Sequence, residues 1–439
     1  RQSGLISFIL FAVTAGLAAL LTPCVFPMIP ITVSLFSKTS GAERKTNYAG
    51  ALAYCFGIVS TFTALGIGVT LAVGASGVRD LAANPWVNIF LVLLFVTLAI
   101  SLFGVFEIGI PAGLMTRLSM NAGRGSLAGP VLMGFTFTLT SFTCTVPFVG
   151  TILAGAAATG DFLYPVIGML AFSSAFALPF FFLALFPQAL SKLPKSGSWM
   201  GSLKAFMGFI ELGAGLKFLS NADQVLEFGY ITEPIFLAIW AALAALAAVY
   251  LLGWMRFRHE PPDMRIGPLR RVTGIAMFVA AGYCLAAIEG APLGKLAALL
   301  PPGKDKLEWV PSYRAALELA SAQDKPIFID FTGVTCTNCR YMEKNMFPRT
   351  AVNRELQKFV RAKLYTDRKN PADLWNKELL KRLSNSATLP VYVIQSSGGK
   401  TLKIFQGSTD DESKFVAFMR QGLQAAKSAP EAVASLESP

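Results

Sequence analysis

Long apolar runs separated by short polar segments dominate residues 1–298. A run of about 20 apolar residues is long enough to cross a bilayer as a helix. The sixth run is the weakest, because it contains Glu211 and Lys217. The eight runs cover residues 5–36, 47–73, 86–106, 127–157, 163–188, 203–219, 233–255 and 270–288. We therefore predict a polytopic α-helical membrane domain with eight spans.

From residue 309 the pattern changes to short apolar segments that alternate with amphipathic ones. The segments "PIFIDF", "FVRAKLYTD", "LPVYVIQ" and "KTLKIFQG" are typical of strands, and "SYRAALELASAQ" and "ADLWNKELLKRLS" are typical of helices. The last two strands form a hairpin through "SSGG", and a final helix starts near Asp410. The stretch "LLPPGKDK" marks a junction. The sequence thus predicts a membrane domain over 1–298, a linker over 299–308 and an α/β domain over 309–439.

Lys and Arg are concentrated in alternate loops of the membrane domain, which indicates its orientation, because cytoplasmic loops are enriched in these residues. The loops after the first, third, fifth and seventh runs hold Lys38, Arg44, Lys45, Arg117, Arg124, Lys192, Lys195, Lys204, Arg256, Arg258, Arg265, Arg270 and Arg271. Odd-numbered spans therefore exit into the cytoplasm, and both termini lie outside it. The α/β domain then faces an oxidising compartment such as a bacterial periplasm.

Composition supports a membrane protein and argues against other classes. The chain has 439 residues, of which 54% are hydrophobic and 15% charged, which is too apolar for an ordinary soluble enzyme. In the membrane domain the positive charge lies in the loops, so the net charge of +12 indicates lipid contact and no nucleic-acid partner. Because the chain begins at Arg1 and enters apolar sequence by Ile6, we expect a processed or trimmed start.

A cysteine–proline motif occurs twice, 120 residues apart. Cys24 in "LTPCVFPMIP" follows Pro23 and precedes Pro27, and Cys144 in "SFTCTVPFVG" precedes Pro147 at the same spacing. The related runs "GALAY" and "GMLAF" follow the two motifs. Two repeats of three helices have opposite orientations, because three is odd. The pattern predicts inverted repeats with broken helices, whose site lies near the membrane midplane.

Helix geometry restricts how the two cysteines can meet. Straight helices place Cys24 and Cys144 near opposite faces of the membrane, whereas a disulfide requires Cα atoms within about 7 Å. Proline breaks a helix, so the prolines allow both segments to turn back toward the centre. We therefore predict a reversible redox pair. The alternative is that both are ordinary buried cysteines, which is how we interpret Cys55 and Cys284.

A second candidate site is the pair Cys336 and Cys339 in "CTNCRYMEKNMF". A strand followed by Cys-x-x-Cys at the start of a helix is the thioredoxin-like order. The helix start exposes Cys336 and favours its thiolate, and Cys339 lies one turn later, where it resolves a mixed disulfide. A zinc site is not expected, because the chain has no second cysteine pair of this kind, and its one histidine, His259, is predicted on the opposite side of the membrane.

Three carboxylates in these regions have two possible interpretations each. Asp330 and Glu343 flank the Cys-x-x-Cys motif, and a buried carboxylate there holds a proton and raises the pKa of the thiol. Alternatively, they are a strand-end Asp and a surface Glu. Glu211, inside the sixth run, either pairs with a polar group or tunes a thiol, or it lines a wet groove without chemistry.

Together, "TPCVFPM", "FTCTVP" and "DFTGVTCTNCRYME" resemble the DsbD family of thiol:disulfide interchange reductases. The resemblance covers essentially the whole chain. It implies that Cys24 and Cys144 take electrons from reduced cytoplasmic thioredoxin. They then pass them to the outer thioredoxin-like domain, in which Cys336 attacks a client disulfide and Cys339 resolves the mixed disulfide.

The resemblance carries further expectations for the thioredoxin-like domain. It implies that Asp330 and Glu343 modulate the Cys336 thiol and that the Leu389–Pro390 bond is cis and lies beside the cysteines. Family members usually carry an immunoglobulin-like N-terminal domain as the last relay. This sequence lacks room for it, so that domain was trimmed or is a separate protein.

The chemistry and its rivals make different predictions. No bound cofactor is expected, because the sequence contains neither a haem-attachment C-x-x-C-H nor a Gly-rich dinucleotide motif. The final client is then a periplasmic disulfide-containing protein, such as a cytochrome maturation factor, an isomerase or a peroxide-defence protein. An inverted-repeat solute transporter with an appended redox domain is the alternative. An outward oxidase is a further rival, and it requires a quinone or a flavin.

Overall fold

A computed structural model of the chain describes most of the helical part and nearly all of the α/β part. The described residues are 2–20, 22, 25, 44–105, 129–139, 141, 145, 149, 163–185, 199–255, 267–303, 307–384 and 388–428. Each of the eight predicted apolar runs contains a helix. The helices are Gln2–Ala19, Arg44–Ala82, Pro85–Leu102, Gly129–Leu139, Leu163–Leu185, Trp199–Val225, Glu233–Leu251 and Pro268–Ile288.

Five helical segments in the described part are long and apolar enough to cross a membrane. They are Ala49–Gly68, Pro85–Leu102, Tyr164–Phe182, Glu233–Leu251 and Pro268–Ile288. The helix Trp199–Val225 is outside this group, and its Lys204, Glu211 and Lys217 interrupt the apolar surface that lipid requires. The chain is therefore a multi-pass membrane protein with at least five apolar spans, and eight remains a prediction.

Packing divides the chain into two units. The first comprises residues 1–78, 93–214 and 246–276. The second comprises 79–92, 215–245 and 277–439, so it contains the α/β domain together with part of the helical region.

Two helix crossings in the first unit are so close that only glycine fits. A Cβ added at Gly16 would lie 2.5 Å from the carbonyl oxygen of Phe172, and one added at Gly134 would lie 2.5 Å from the carbonyl oxygen of Tyr54. Gly134 follows Gly16 by 118 positions, and Phe172 follows Tyr54 by the same 118 positions. The two crossings therefore use equivalent positions of the two sequence repeats.

Aromatic contacts in the same unit follow the same relation. Tyr54 packs edge-to-face on Phe180, with ring centroids 6.2 Å apart. Phe172 packs edge-to-face on Phe62 at 5.7 Å. Phe180 follows Phe62 by 118 positions, so each ring pair is the repeat equivalent of the other. All four rings belong to one buried core, which these equivalent contacts build from both repeats.

The α/β domain has the predicted order of elements around a four-stranded sheet. The strands are β1 (Ile327–Thr332), β2 (Val360–Tyr365), β3 (Val391–Gln395) and β4 (Thr401–Gln406), in the spatial order β2-β1-β3-β4. β1 and β2 are parallel, and the other two pairs are antiparallel. The helices are Tyr313–Gln323, Thr337–Tyr341, Thr350–Leu356, Pro371–Ser384 and Glu412–Ser428.

The prediction differs from the structure after the Cys-x-x-Cys motif. A five-residue helix, Thr337–Tyr341, continues as a π-helical turn over Met342–Met346, and the helix Thr350–Leu356 follows. The predicted single helix is therefore divided into three short pieces.

The central strand β1 is buried on both sides of the sheet, as its continuous apolar sequence predicts. Ile329 on one side packs in a cluster with Ala316 and Leu380 from two helices. Phe328 on the other side packs in a cluster with Phe415. Helices thus cover both sides of the sheet and hold the carboxyl end of β1, where the cysteine motif follows, in a fixed position.

Candidate functional site

Cys336 and Cys339 form a disulfide at the start of the helix Thr337–Tyr341, with Cα atoms 5.3 Å apart. Cys336 is the N-cap residue, and its Sγ accepts a hydrogen bond from the backbone N–H of Cys339 at 3.1 Å. Cys336 is half-buried, whereas Cys339 is buried. The first sulfur is thus the more accessible of the two, as an attacking thiol requires.

The loop between β1 and the disulfide is held by Asp367, which directly follows β2 by two positions. Its carboxylate accepts hydrogen bonds from the backbone N–H groups of Val334 and Thr335, both at 2.9 Å, and from the Thr335 hydroxyl at 2.8 Å. A Cβ at Gly333 would lie 2.7 Å from Asp367 Oδ2, so a glycine is needed there. Sequence reasoning missed Asp367, although parallel strands β1 and β2 bring their carboxyl ends to one edge of the sheet.

A buried cluster of charged side chains lies next to the disulfide. Arg340 is 1% exposed and forms two contacts with the Glu343 carboxylate, at 2.6 and 2.8 Å. Its guanidinium also donates to the Thr332 hydroxyl at 3.0 Å. Lys363 on β2 lies 3.3 Å from Glu343 and is equally buried. Glu343 is therefore neutralised by two cations, neither of which sequence reasoning identified.

Asp330 lies in the middle of the sheet beside this cluster and is 1% exposed. In β1 it is opposite Lys363 on β2 and Tyr392 on β3. Burial, reinforced by the charges of Asp330 and Glu343, raises the pKa of Tyr392 well above its usual value, so the phenol stays protonated. Burial opposes the charge of Arg340, but nearby carboxylates outweigh it and raise the pKa of Arg340.

Two expectations for the α/β domain can be compared with this geometry. The surface interpretation of Glu343 is wrong, because the side chain is only 6% exposed and is enclosed by its ion pairs. The cis Leu389–Pro390 bond is confirmed. Leu389 lies close to the site, since its Cδ1 would be 3.1 Å from a Cβ added at Gly333. The cis bond therefore adjoins the loop that precedes the disulfide.

Comparison with known proteins matches both parts of the chain. The profile of the DsbD_TM family, described as "Cytochrome C biogenesis protein transmembrane domain", matches residues 5–222. The profile of the Thioredox_DsbH family, described as "Protein of unknown function, DUF255", matches residues 297–424. The chain belongs to the DsbD family. The resemblance drawn from the cysteine motifs is confirmed, and the α/β domain is thioredoxin-like.

Curated relatives include several proteins named "Thiol:disulfide interchange protein DsbD". That of Vibrio vulnificus strain YJ016 is 29% identical over 79% of this chain and 56% of its own length. That of Ralstonia nicotianae is 27% identical over 94% of this chain and 68% of its own, and that of Cronobacter sakazakii is 30% identical over 89% and 65%. The chain thus spans only a little more than half the length of the Vibrio relative.

The membrane cysteines of this DsbD-family chain stay a prediction. Pro23, Cys24, Pro27, Cys144 and Pro147 all lie outside the described residues. The predicted meeting of Cys24 with Cys144 therefore has no geometry to report.

The remaining candidates lie in the described part of the helical region. Cys55 donates a hydrogen bond to the carbonyl oxygen of Ala177 at 3.7 Å, and like Cys284 it is a half-buried thiol. Glu211 is fully buried. Within the described ranges, no group of three or more His, Cys, Asp or Glu side chains is arranged to hold a metal ion.

Proposed function

We propose that this DsbD-family chain is a protein-disulfide reductase of the bacterial inner membrane. It transfers reducing equivalents from cytoplasmic thioredoxin to disulfide-containing proteins of the periplasm by successive thiol–disulfide exchange. The observation that carries the proposal is the Cys336–Cys339 disulfide, which lies at a helix start in a thioredoxin-like domain joined to a DsbD membrane domain.

The membrane step uses Cys24 and Cys144 as a reversible pair in an eight-span domain of inverted repeats. Support comes from the first unit, in which two glycine crossings and two aromatic pairs are equivalent under one shift of 118 positions. Pro23, Pro27 and Pro147 break the two helices that carry the pair. An axis between the repeats gives a site there equal relations to both faces of the membrane.

Each exchange conserves two electrons and passes through a mixed disulfide. A cytoplasmic dithiol reduces the Cys24–Cys144 disulfide and becomes oxidised itself. The resulting dithiol reduces Cys336–Cys339. The Cys336 thiolate then attacks a client disulfide, and Cys339 displaces the client as a dithiol, which re-forms the disulfide of the domain. A potential difference of about 100 mV between the compartments supplies roughly 4 to 5 kcal/mol, which makes the flow effectively one-way.

The surroundings of the disulfide have supporting roles. Glu343 is neutralised by Arg340 and Lys363, so Asp330 has the larger electrostatic influence on the Cys336 thiol. The cis Pro390, near the loop that precedes the cysteines, forms part of the surface that receives a partner disulfide.

The orientation follows from the charge of the loops. Lys and Arg in alternate loops place the thioredoxin-like domain and both termini in the periplasm. The last recipient is a periplasmic client or a separate domain of the N-terminal type.

Reconstitution in liposomes tests the proposal. Chains whose α/β domain faces the interior receive reduced thioredoxin outside, and the redox state of Cys336–Cys339 is followed by alkylation. Reduction of the internal disulfide is expected in the parent and not in C24S or C144S. Equal reduction in all three would refute the membrane relay, and transport of a solute by C24S/C144S would favour the transporter. A quinone or flavin absorbance in the purified protein would favour the oxidase.

A further inference from the structure

An ion pair in the second unit joins the helical region to the thioredoxin-like domain. Glu233, the first residue of the helix Glu233–Leu251, accepts hydrogen bonds from Lys344 Nζ at 2.7 and 2.9 Å. Both side chains are about a quarter exposed. Gly303 lies against the pair, because a Cβ added there would come within 2.7 Å of Lys344 Nζ and would also clash with the Glu233 carboxylate. The chain between the two regions thus passes directly over the contact.

A second carboxylate six positions earlier makes a parallel contact. Glu227 accepts a hydrogen bond from the Asn370 side chain, and its Oε1 lies 3.7 Å from Arg368 Nε. Glu227 has a φ of 61°, a left-handed conformation that a non-glycine residue rarely adopts. Arg368 and Asn370 follow Asp367, the residue that holds the loop before the disulfide. Two cationic points of the domain therefore face two carboxylates of residues 226–233, here called the acidic loop.

The acidic loop is held in shape by the end of the preceding helix. Asp223 accepts hydrogen bonds from the backbone N–H groups of Tyr230 at 3.1 Å and Ile231 at 2.9 Å. The side chain of Gln224 donates to the carbonyl oxygen of Ile231 at 3.3 Å. The two carboxylates are thus presented by a preorganised turn, which lowers the entropy lost when the domain binds.

The segment that connects the last membrane helix to the domain supports the same arrangement. Its 3₁₀ helix, Gly294–Leu299, buries Ala297 in a cluster with Leu216 and Phe236 of the helical region. An open cavity of about 360 Å³ is lined by Lys295 of this segment and by Asn338, which lies between the two cysteines. The disulfide helix therefore faces the connecting segment when the ion pairs are formed.

We propose that the acidic loop is a docking surface for the thioredoxin-like domain, which it binds through Lys344 and Arg368. Partly exposed ion pairs are weak and are screened by salt, so each holds the domain by only a few-fold. The covalent connection keeps the domain at high local concentration, and a weak contact is then sufficient for docking. The same weakness lets the domain leave to meet a client. This interface goes beyond the proposed function and does not depend on the direction of electron flow.

Zero-length cross-linking of the full chain tests the docking directly. A carbodiimide joins a carboxylate to an amine only when the two are in contact, so an isopeptide between Glu233 and Lys344 is expected in peptide maps of the parent. The yield should fall at least about tenfold in E233Q and several-fold in 0.5 M salt. The pair Glu355–Lys358, at 2.6 Å within the domain, is the internal control for the reagent. Absence of the 233–344 product while the control pair reacts would overturn the proposal.

Two variants separate docking from folding. The charge exchange E233K/K344E is expected to restore the link between positions 233 and 344, which E233K and K344E alone abolish. G303A should reduce the yield several-fold, because a Cβ displaces only the flexible ends of the two side chains. G282A is its matched control, because a Cβ at Gly282 meets open space. Failure of the exchange variant to restore the link, or equal effects of the two glycine variants, would contradict the docking surface.

Discussion

Replacing Arg340 with Met tests whether the buried charge cluster depends on that residue. The variant leaves Glu343, only 6% exposed, without its two contacts at 2.6 and 2.8 Å. Removing one partner of a buried ion pair costs about 3–5 kcal/mol, because the other charge stays buried. Lys363 still lies 3.3 Å from Glu343, so the low end of this range is expected. A loss of about 3 kcal/mol corresponds to a roughly 150-fold change in the ratio of folded to unfolded domain.

Pulse proteolysis in urea measures this loss on the full chain in detergent. With a denaturant dependence of about 2 kcal/mol per molar, the midpoint of the α/β domain should fall by roughly 1.5 M. The control is R314M, whose side chain is 80% exposed in its ion pair with Glu318 and which should change stability by less than about 0.5 kcal/mol. R340M/E343M should regain at least half of the loss, because it leaves no unpaired carboxylate at position 343. A midpoint for R340M equal to that of R314M would refute the reasoning.

Three further predictions follow from other contacts. D367A removes three hydrogen bonds to the loop before the disulfide and should cost about 1–3 kcal/mol in the same assay, with D367N intermediate; an unchanged midpoint would show that the loop does not need Asp367. Burial tends to raise the pKa of Glu355, but hydrogen bonds from Lys358 and Arg420 outweigh it and lower the pKa, so this stabilisation is present above the unfolded pKa of about 4.3 and is lost as pH falls through the folded value. E355Q should therefore be less stable than the parent at pH 7 and equal to it near pH 3, and a constant difference would contradict the assignment. G16V and G134V should each lower the midpoint of thermal aggregation in detergent, by similar amounts, whereas G201V, which points into open space, should not; unequal effects at the two crossings would argue against equivalent packing.

Local sequence was sufficient to predict most of the α/β domain. The run "PIFIDF" predicts a strand buried on both sides, and β1 is that strand. The repeat "GALAY" and "GMLAF" was visible because the aromatic residue of each run, Tyr54 or Phe172, meets a glycine of another helix at equivalent crossings. The constraint of close packing had thus kept similar letters at both places.

The charged cluster was not predictable, because it depends on contacts between distant parts of the chain. The spacing of Arg340 and Glu343 is a common one on exposed helices, and nothing local indicates that both are buried. Their burial depends on the sheet, which brings Lys363 from β2 to the same carboxylate. Asp367 was missed for the same reason, since its partners, Val334 and Thr335, belong to the loop after a different strand. Sequence pattern identified the elements, and tertiary contacts decided the environment of the site.

The most direct test of the proposed relay is the redox state of Cys336–Cys339 in living cells, trapped by acid and measured by thiol alkylation. The domain should be mostly reduced in the parent, and it should accumulate as the disulfide in C24S and in C144S. The matched controls are C55S and C284S, which alter the half-buried thiols without a proline motif and should resemble the parent. If the domain stays reduced in both C24S and C144S, electrons reach it by another path, and the membrane relay is contradicted.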